Sequence, residues 1–316
     1  LIMKQLTIFI LLLAAGMFAG CKKYLDITPK GYVIPSNVED YERILNGDQI
    51  TRPLSVLLDQ LSDDYYNNTI KKNDFLVNPA NQAYMWRAEI FNTPDDYQSY
   101  SFYHALYANI YQFNAVINGI DAASGGSPAR KAAAKARAQL GRAYSLWYLV
   151  NLYAKPYQAA TAATEPGVSL ISGNDINLPA PKRSSVQAVY DFILKDLNEA
   201  IPALPLSAPD PFQMTKGAGY GVLARTYLTM NDYTRAAAAA TEGLTLNNKL
   251  LDYNGEFATY TDKGLNFIYA KQSSLLQNDP AVPEYIFVRY STYPAGTSQA
   301  RIPEEKEQLF GADDLR

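Results

Sequence analysis

Neighbouring carboxylates, one histidine and one cysteine are the residues of this chain most able to do covalent or acid–base chemistry. Pairs weighed for such chemistry are Asp63/Asp64, Asp95/Asp96 and Glu304/Glu305. Two carboxyls cleave a glycosidic bond only when they face each other across the sugar, about 5–10 Å apart. Sequence neighbours do not supply that arrangement by themselves. Asp95 and Asp96 follow Thr93-Pro94 and read as acids in the first turn of a helix. Glu304 and Glu305 follow Pro303 and read the same way. Asp63/Asp64 stays open, as a loop hydrogen-bonder or as structure. His104 lies between Tyr103 and Ala105 in a helical stretch and reads as a packed or surface histidine. One histidine and one cysteine argue against a Cys/His metal site. No Gly-x-Ser-x-Gly elbow or Gly-rich phosphate loop is present. Neither a cofactor nor a catalytic residue is expected, and the chain does not read as an enzyme.

Non-covalent binding is better represented. A sugar ring offers apolar C–H faces and a rim of hydroxyls. Aromatic faces suit the former, and Asn, Asp and Arg suit the latter. Two predicted loop clusters carry this mixture. The first joins Asp64, Tyr65, Tyr66, Asn67 and Asn68 with Asn81, Tyr84, Trp86 and Arg87. The second is Arg289, Tyr290, Tyr293 and Arg301, around a Gly/Ser/Thr-rich turn. Trp86 is the leading candidate, because Trp147 sits mid-helix and reads as core. The alternative for Trp86 is burial between short helices. For Tyr65 and Tyr66 it is simple packing.

The one cysteine stands at a telling place. Lys4 precedes an apolar run from Leu6 to Ala19, and Ala19-Gly20 then meets Cys21. A basic start, a short apolar stretch and small residues before a cut describe a secretory signal peptide. A cysteine directly after the small residues is where bacterial lipoproteins are cleaved and acylated. The expectation is therefore a signal over 1–20, lipidation of Cys21 and a Pro/Gly-containing tether over 21–35. An ordinary signal with a chance cysteine is the alternative. Stable anchoring would need more than one acyl chain.

Composition sets the outer limits. The chain has 316 residues, 48% of them hydrophobic, with a net charge of −3. That is ample for a core and offers no basic field for nucleic acid. Without a second cysteine, stability must come from packing alone. Tyrosine stands out, at 25 residues against 12 Phe and 2 Trp. Met3 reads as the initiator rather than Leu1. The chain stops at Arg316 just after a predicted helix over Glu304 to Phe310, which reads as a fragment.

These residues need elements to position them, and the elements are helical. Ser36-Asn37-Val38-Glu39 is a capping-box pattern that predicts a helix to Leu45. Short helices and long loops are expected over 50–92. A helix starting at Thr93-Pro94 carries Tyr100, Tyr103, Tyr107 and Tyr111 at helical spacing, mostly core or groove residues. Ser124-Gly125-Gly126-Ser127-Pro128 makes a turn. Helices are then expected over Ala129 to Tyr153, Ser184 to Ala203, Thr215 to Met230 and Tyr233 to Leu246. Residues 155–183, with Pro156, Pro166, Pro179 and Pro181, form a long excursion, which in a compact domain is usually functional. Tyr285 to Tyr290 reads as a strand. Tyr220, Leu223, Ala224 and Tyr227, then Ala236, Ala240 and Gly243, fit a tetratricopeptide unit over 217–250. Gly141 and Tyr144 begin a second unit that pairs with 186–203, and 95–121 contributes to a third. The fold class is mainly α, with tetratricopeptide-like repeats, long inserted loops and few short strands near the C-terminus. A plain antiparallel helical bundle is the alternative.

Cys21-Lys22-Lys23-Tyr24-Leu25-Asp26-Ile27-Thr28-Pro29 resembles the mature start of the SusD/RagB family of Bacteroidetes outer-membrane lipoproteins. Arg142-Ala143-Tyr144-Ser145-Leu146-Trp147-Tyr148-Leu149-Val150-Asn151-Leu152-Tyr153 is similar to that family's most recognisable helix. Asp191 to Ile201, Ala224 to Leu228 and Asp314-Leu315-Arg316 continue the likeness in order. The resemblance implies a helical repeat domain over 36–254 and the start of a loop-rich C-terminal part over 255–316. It also implies a lipid-anchored, surface-exposed protein of the outer membrane that captures oligosaccharide, or sometimes peptide. Its partner would be a SusC-like TonB-dependent transporter, facing the repeats. The runner-up reading is a lipidated repeat scaffold for a protein or peptide. A surface hydrolase is disfavoured.

Overall fold

The computed structural model describes residues 35–51, 61, 66–67, 79–87, 90, 97–175, 177–179, 181–250, 284, 286–289 and 300–301. Side-chain caps start its principal helices, because the first backbone N–H groups of a helix have no partner within it. Ser127 accepts from the N–H of Arg130, Ser185 from Ala188, Thr215 from Ala218 and Asp232 from Arg235. Asn37, rather than Ser36, caps the first helix, accepting from Asp40 N–H at 3.0 Å. The Asp40 carboxylate in turn accepts from Ser36 N–H at 3.2 Å.

In chain order the helices are α1 (Val38–Leu45), α2 (Asp48–Thr51), α3 (Pro79–Tyr84), α4 (Tyr97–Gly119), α5 (Pro128–Tyr153), α6 (Val186–Ala200), α7 (Lys216–Thr229) and α8 (Tyr233–Leu246). Single 3₁₀ turns follow α4 (Ile120–Ala122) and α6 (Ile201–Ala203). Two strands, β1 (Tyr66–Asn67) and β2 (Ala300–Arg301), pair antiparallel. The predicted strand over 285–290 is not one in its described part: 286–289 joins no ladder, and Val288 N–H donates to Pro211 C=O at 2.9 Å. No described helix is long and apolar enough to cross a membrane.

The helices stack as antiparallel neighbours, α4 on α5, α5 on α6 and α7 on α8. The excursion 155–183 is an insertion between α5 and α6. Apolar residues at helical spacing meet between these helices: Leu106, Ile110 and Phe113 of α4, Leu140, Leu146 and Leu149 of α5, Ile193 and Leu197 of α6. All are buried, and truncating any to Ala typically costs about 2–5 kcal/mol. Gly141 admits the Phe113 ring to the α4–α5 crossing, where a Cβ would collide with it. The tyrosine excess is partly explained here. Tyr103 stands edge-on to Tyr153 at 5.0 Å, and Tyr148 edge-on to Tyr144 at 4.9 Å, all packed against the core. Tyr103 and Tyr107 are half-buried, whereas Tyr111 is exposed.

The excursion is held by α4 as a strap. Three α4 side chains at helical spacing reach its backbone, and a fourth α4 residue accepts a bond from it. Tyr107 Oη donates to Ser169 C=O at 2.9 Å, and Asn114 Nδ2 to Ile171 C=O at 2.9 Å. Asn118 Nδ2 donates to Ser172 C=O at 3.0 Å, and Asn174 Nδ2 returns to Tyr111 C=O at 2.8 Å. At the base, Gly167 N–H donates to Ser184 C=O at 2.7 Å, Ser184 N–H donates to Val168 C=O at 3.0 Å, and Arg183 Nη2 donates to Tyr153 C=O at 2.7 Å.

Candidate functional site

Two predicted ligand clusters, more than two hundred residues apart in sequence, meet in one backbone ladder. Tyr66 is in register with Arg301, and Asn67 with Ala300. The register joins the Tyr/Asn run of the first cluster to the last residue of the second. Cys21, Asp64, Tyr65, Asn68, Tyr290 and Tyr293 lie outside the described residues.

Trp86 sits just past α3, which carries Asn81 and Tyr84. Trp86 N–H donates to Ala83 C=O at 2.9 Å and Arg87 N–H to Gln82 C=O at 3.0 Å. This is the Schellman pattern that closes a helix C-terminus, and its left-handed position normally carries glycine. Here tryptophan holds it, at φ 51°. A bulky residue there costs about 1–2 kcal/mol. Its side chain is 69% exposed, so burial does not offset that cost. Trp86 is exposed rather than packed between helices. Underneath, Ala83 is fully buried against Leu61 and Ile90 and fixes α3. Tyr84 is half-buried and Arg87 exposed, and both are engaged in contacts. Strain persisting at an exposed aromatic is a pointer to function rather than to stability.

Arg289 takes a different place from the one its loop suggested. Its Nη1 donates to the C=O of Phe212 at 2.7 Å and of Val288 at 2.9 Å. The guanidinium lies 4.3 Å from the Phe287 centroid. Burial first, then the nearby Arg137 charge, pushes its pKa down to about 10. Those contacts hold segment 286–289 onto the 210–212 turn. Buried Nη2 has no hydrogen-bond partner among the described residues.

Among the described residues no group of three or more His, Cys, Asp or Glu side chains could hold a metal. His104 is exposed on α4. Trp147, expected as core, is half-buried, and its Nε1 donates to Thr229 Oγ1 at 3.2 Å. Its ring carries the Arg225 guanidinium at 5.4 Å. Sequence reasoning passed over Arg225 as a repeat-helix residue. The signal was there in the spacing of Gly217, Gly221 and Arg225, one residue per turn along a single face of α7.

Comparison with known proteins accords with this architecture. A putative sugar binding protein from Bacteroides vulgatus matches with a TM-score of 0.57 and 21% identity, over 68% of this chain and 47% of that one. A SusD superfamily protein from Bacteroides thetaiotaomicron gives 0.58 and 20%, over 71% and 50%. One from Bacteroides fragilis gives 0.57 and 22%, over 70% and 52%. At these identities the likeness is one of fold, and the chain spans about half the length of these structures. No curated protein matches the chain. The SusD-like family model, described as starch-binding and associating with the outer membrane, matches residues 23–228. That is more than half of the sequence, and it covers α1–α6 and most of α7; the chain belongs to the SusD-like family.

Proposed function

We propose that this protein is a glycan-capture lipoprotein of the outer membrane that binds oligosaccharide without turning it over. Cys21 is the acylated residue, and the lipid holds the protein at the cell surface. Bound sugar passes to a SusC-like TonB-dependent transporter. The family's description as starch-binding and outer-membrane-associating supports this reading. The observation that carries it is Trp86, an exposed indole kept at a strained backbone position. One face of that ring stacks on the C–H face of a sugar. Tyr66, Asn67 and Arg301, joined by the β1–β2 ladder, belong to the same capture surface, with Asp64, Tyr65, Asn68, Asn81, Tyr84, Arg87, Tyr290 and Tyr293 as further members. The α7–α8 hairpin exposes Leu228, Tyr233, Leu244 and Leu246. Exposed apolar residues on a repeat face support a protein partner there.

Affinity electrophoresis through polysaccharide-containing gels tests the capture step on the protein from Lys22 onward. Wild type is retarded by at least one polysaccharide, and Trp86→Ala loses the retardation by about tenfold or more in affinity, worth about 1.4 kcal/mol. Retention that is equal in Trp86→Ala overturns the assignment of Trp86. No retention on any glycan, with a peptide or protein bound in the repeat groove instead, overturns the glycan reading.

A further inference from the structure

A second cavity lies well along the chain from Trp86. It is about 260 Å³, bounded by Tyr144 of α5, by Gly217, Ala218, Gly221 and Arg225 of α7, and by Glu284 and Phe287. That is slightly below the about 300–1,000 Å³ of drug-sized sites and suits one ring unit. Its α7 wall has bare backbone at Gly217 and Gly221, beside Ala218 and Val222. A Cβ added at Gly221 would meet open space. Two rings form the opposite side, Tyr144 and Phe287, edge to face at 5.4 Å and 78°. Arg225 stands at the rim. Among the described residues, Arg130, Arg142 and Arg235 are spent on carboxylates and Arg183 on carbonyls. Arg225 is exposed, steadied by the Trp147 ring, and has neither a carboxylate nor a hydrogen-bond partner among the described residues. A guanidinium so placed presents a planar fork of donors that fits a carboxylate with two parallel bonds. Glu284 is already engaged, and its charge on another wall directs an anionic group toward Arg225.

We infer that this cavity is a sugar subsite for a pyranose carrying a carboxylate, a hexuronate unit, packed against the two rings and paired to Arg225. The inference rests on the reading of the protein as a glycan binder and assigns it an acidic class of glycan. The two tryptophans permit a direct test. In a Trp86→Phe background Trp147 is the sole indole, and it lies under Arg225. Trigalacturonate is titrated against its methyl ester, which has the same rings without the charge. Trp147 emission should change with the acid, at least tenfold more weakly with the ester, and at least tenfold more weakly with the acid in Arg225→Gln. Gly221→Leu, which fills the cavity from a helix-favouring residue and leaves the charge, should abolish the response with the thermal melt retained. Equal responses to acid and ester, an unaltered Arg225→Gln, or a silent Trp147 would overturn the inference. Retention of neutral polysaccharide by the wild-type protein is read separately. Its persistence while the Trp147 response fails sinks the subsite alone; its loss with Trp147 responding sinks the Trp86 assignment alone.

Discussion

Arg142 and Asp196 face each other as a buried, two-pronged ion pair. Nε and Nη2 of the arginine each reach one carboxylate oxygen at 2.8 Å, and Nη1 goes on to Asn114 Oδ1 at 2.7 Å. Three helices, α4, α5 and α6, thus share one guanidinium, which also lies over the Phe192 ring at 4.9 Å. Burial pushes the Asp196 carboxyl above its ordinary value, and Arg142 offsets only part of that rise. Removing one partner strands a charge in the interior. Asp196→Ala is expected to destabilise by about 3–5 kcal/mol. Replacing both, as Arg142→Met with Asp196→Leu, should cost much less than that single change. Urea midpoints for the single and double variants check this; a double variant as unstable as Asp196→Ala would refute it.

Trp86 separates binding from folding. At its left-handed backbone position glycine carries no Cβ penalty, whereas alanine keeps it. Trp86→Gly should therefore be more stable than Trp86→Ala by about 1 kcal/mol, the reverse of the usual order. Both should lose glycan retention equally. Chemical denaturation run beside affinity gels gives the two readouts.

The clamp between α1 and α5 predicts an acid-sensitive component of stability. Arg130 bonds Glu39 at 2.8 Å and Glu42 at 2.6 Å. A backbone N–H first, and Arg130 second, hold the Glu39 carboxyl below its ordinary value of 4.5. The folded pKa is depressed, so its contribution is present above the ordinary value and is lost as pH falls through the lower, folded one. Glu39→Gln should flatten the fall of the urea midpoint between about pH 5 and about pH 3. Because the pair is exposed, the effect should shrink in 1 M salt. A slope identical to wild type would contradict the assignment.

The strap can be loosened without touching the core. Asn118 and Asn174 bond each other at 3.0 Å as well as the facing backbone. Replacing both with Ala removes bonds worth about 0.5–1.5 kcal/mol each. Proteolytic cutting within 169–179 should accelerate several-fold, while the α4–α5–α6 core unfolds nearly as before. Unchanged cutting would mean that the bonds at Gly167, Ser184 and Arg183 suffice.

Helix starts were legible because they are written locally. Ser127-Pro128, Ser185, Thr215 and Asp232 each declare a cap within four residues. The start of α1 was misplaced by one, since Ser36 and Asn37 are both good caps and only the position of Asp40 decides between them. The pairing of α5 with α6 across a 32-residue gap was readable from apolar spacing, because those faces must be covered by something. Partnerships between polar groups were not. Arg142 and Asp196 are 54 residues apart, Asn118 and Ser172 also 54, and nothing near either member names the other. The exposure of Trp86 was equally hidden. Its place follows from a helix ending that ordinarily announces itself with glycine. The β1–β2 register brought Tyr66 to Arg301, a juxtaposition that no local pattern encodes.

The strap has one more implication, for descent rather than for folding. At Ser169, Ile171 and Ser172 the α4 side chains grip carbonyl oxygens, which every amino acid supplies. Attachment at these points is indifferent to what the strap spells. A lineage could rewrite much of 169–173 one residue at a time, exploring new surface chemistry, while the grip stayed the same.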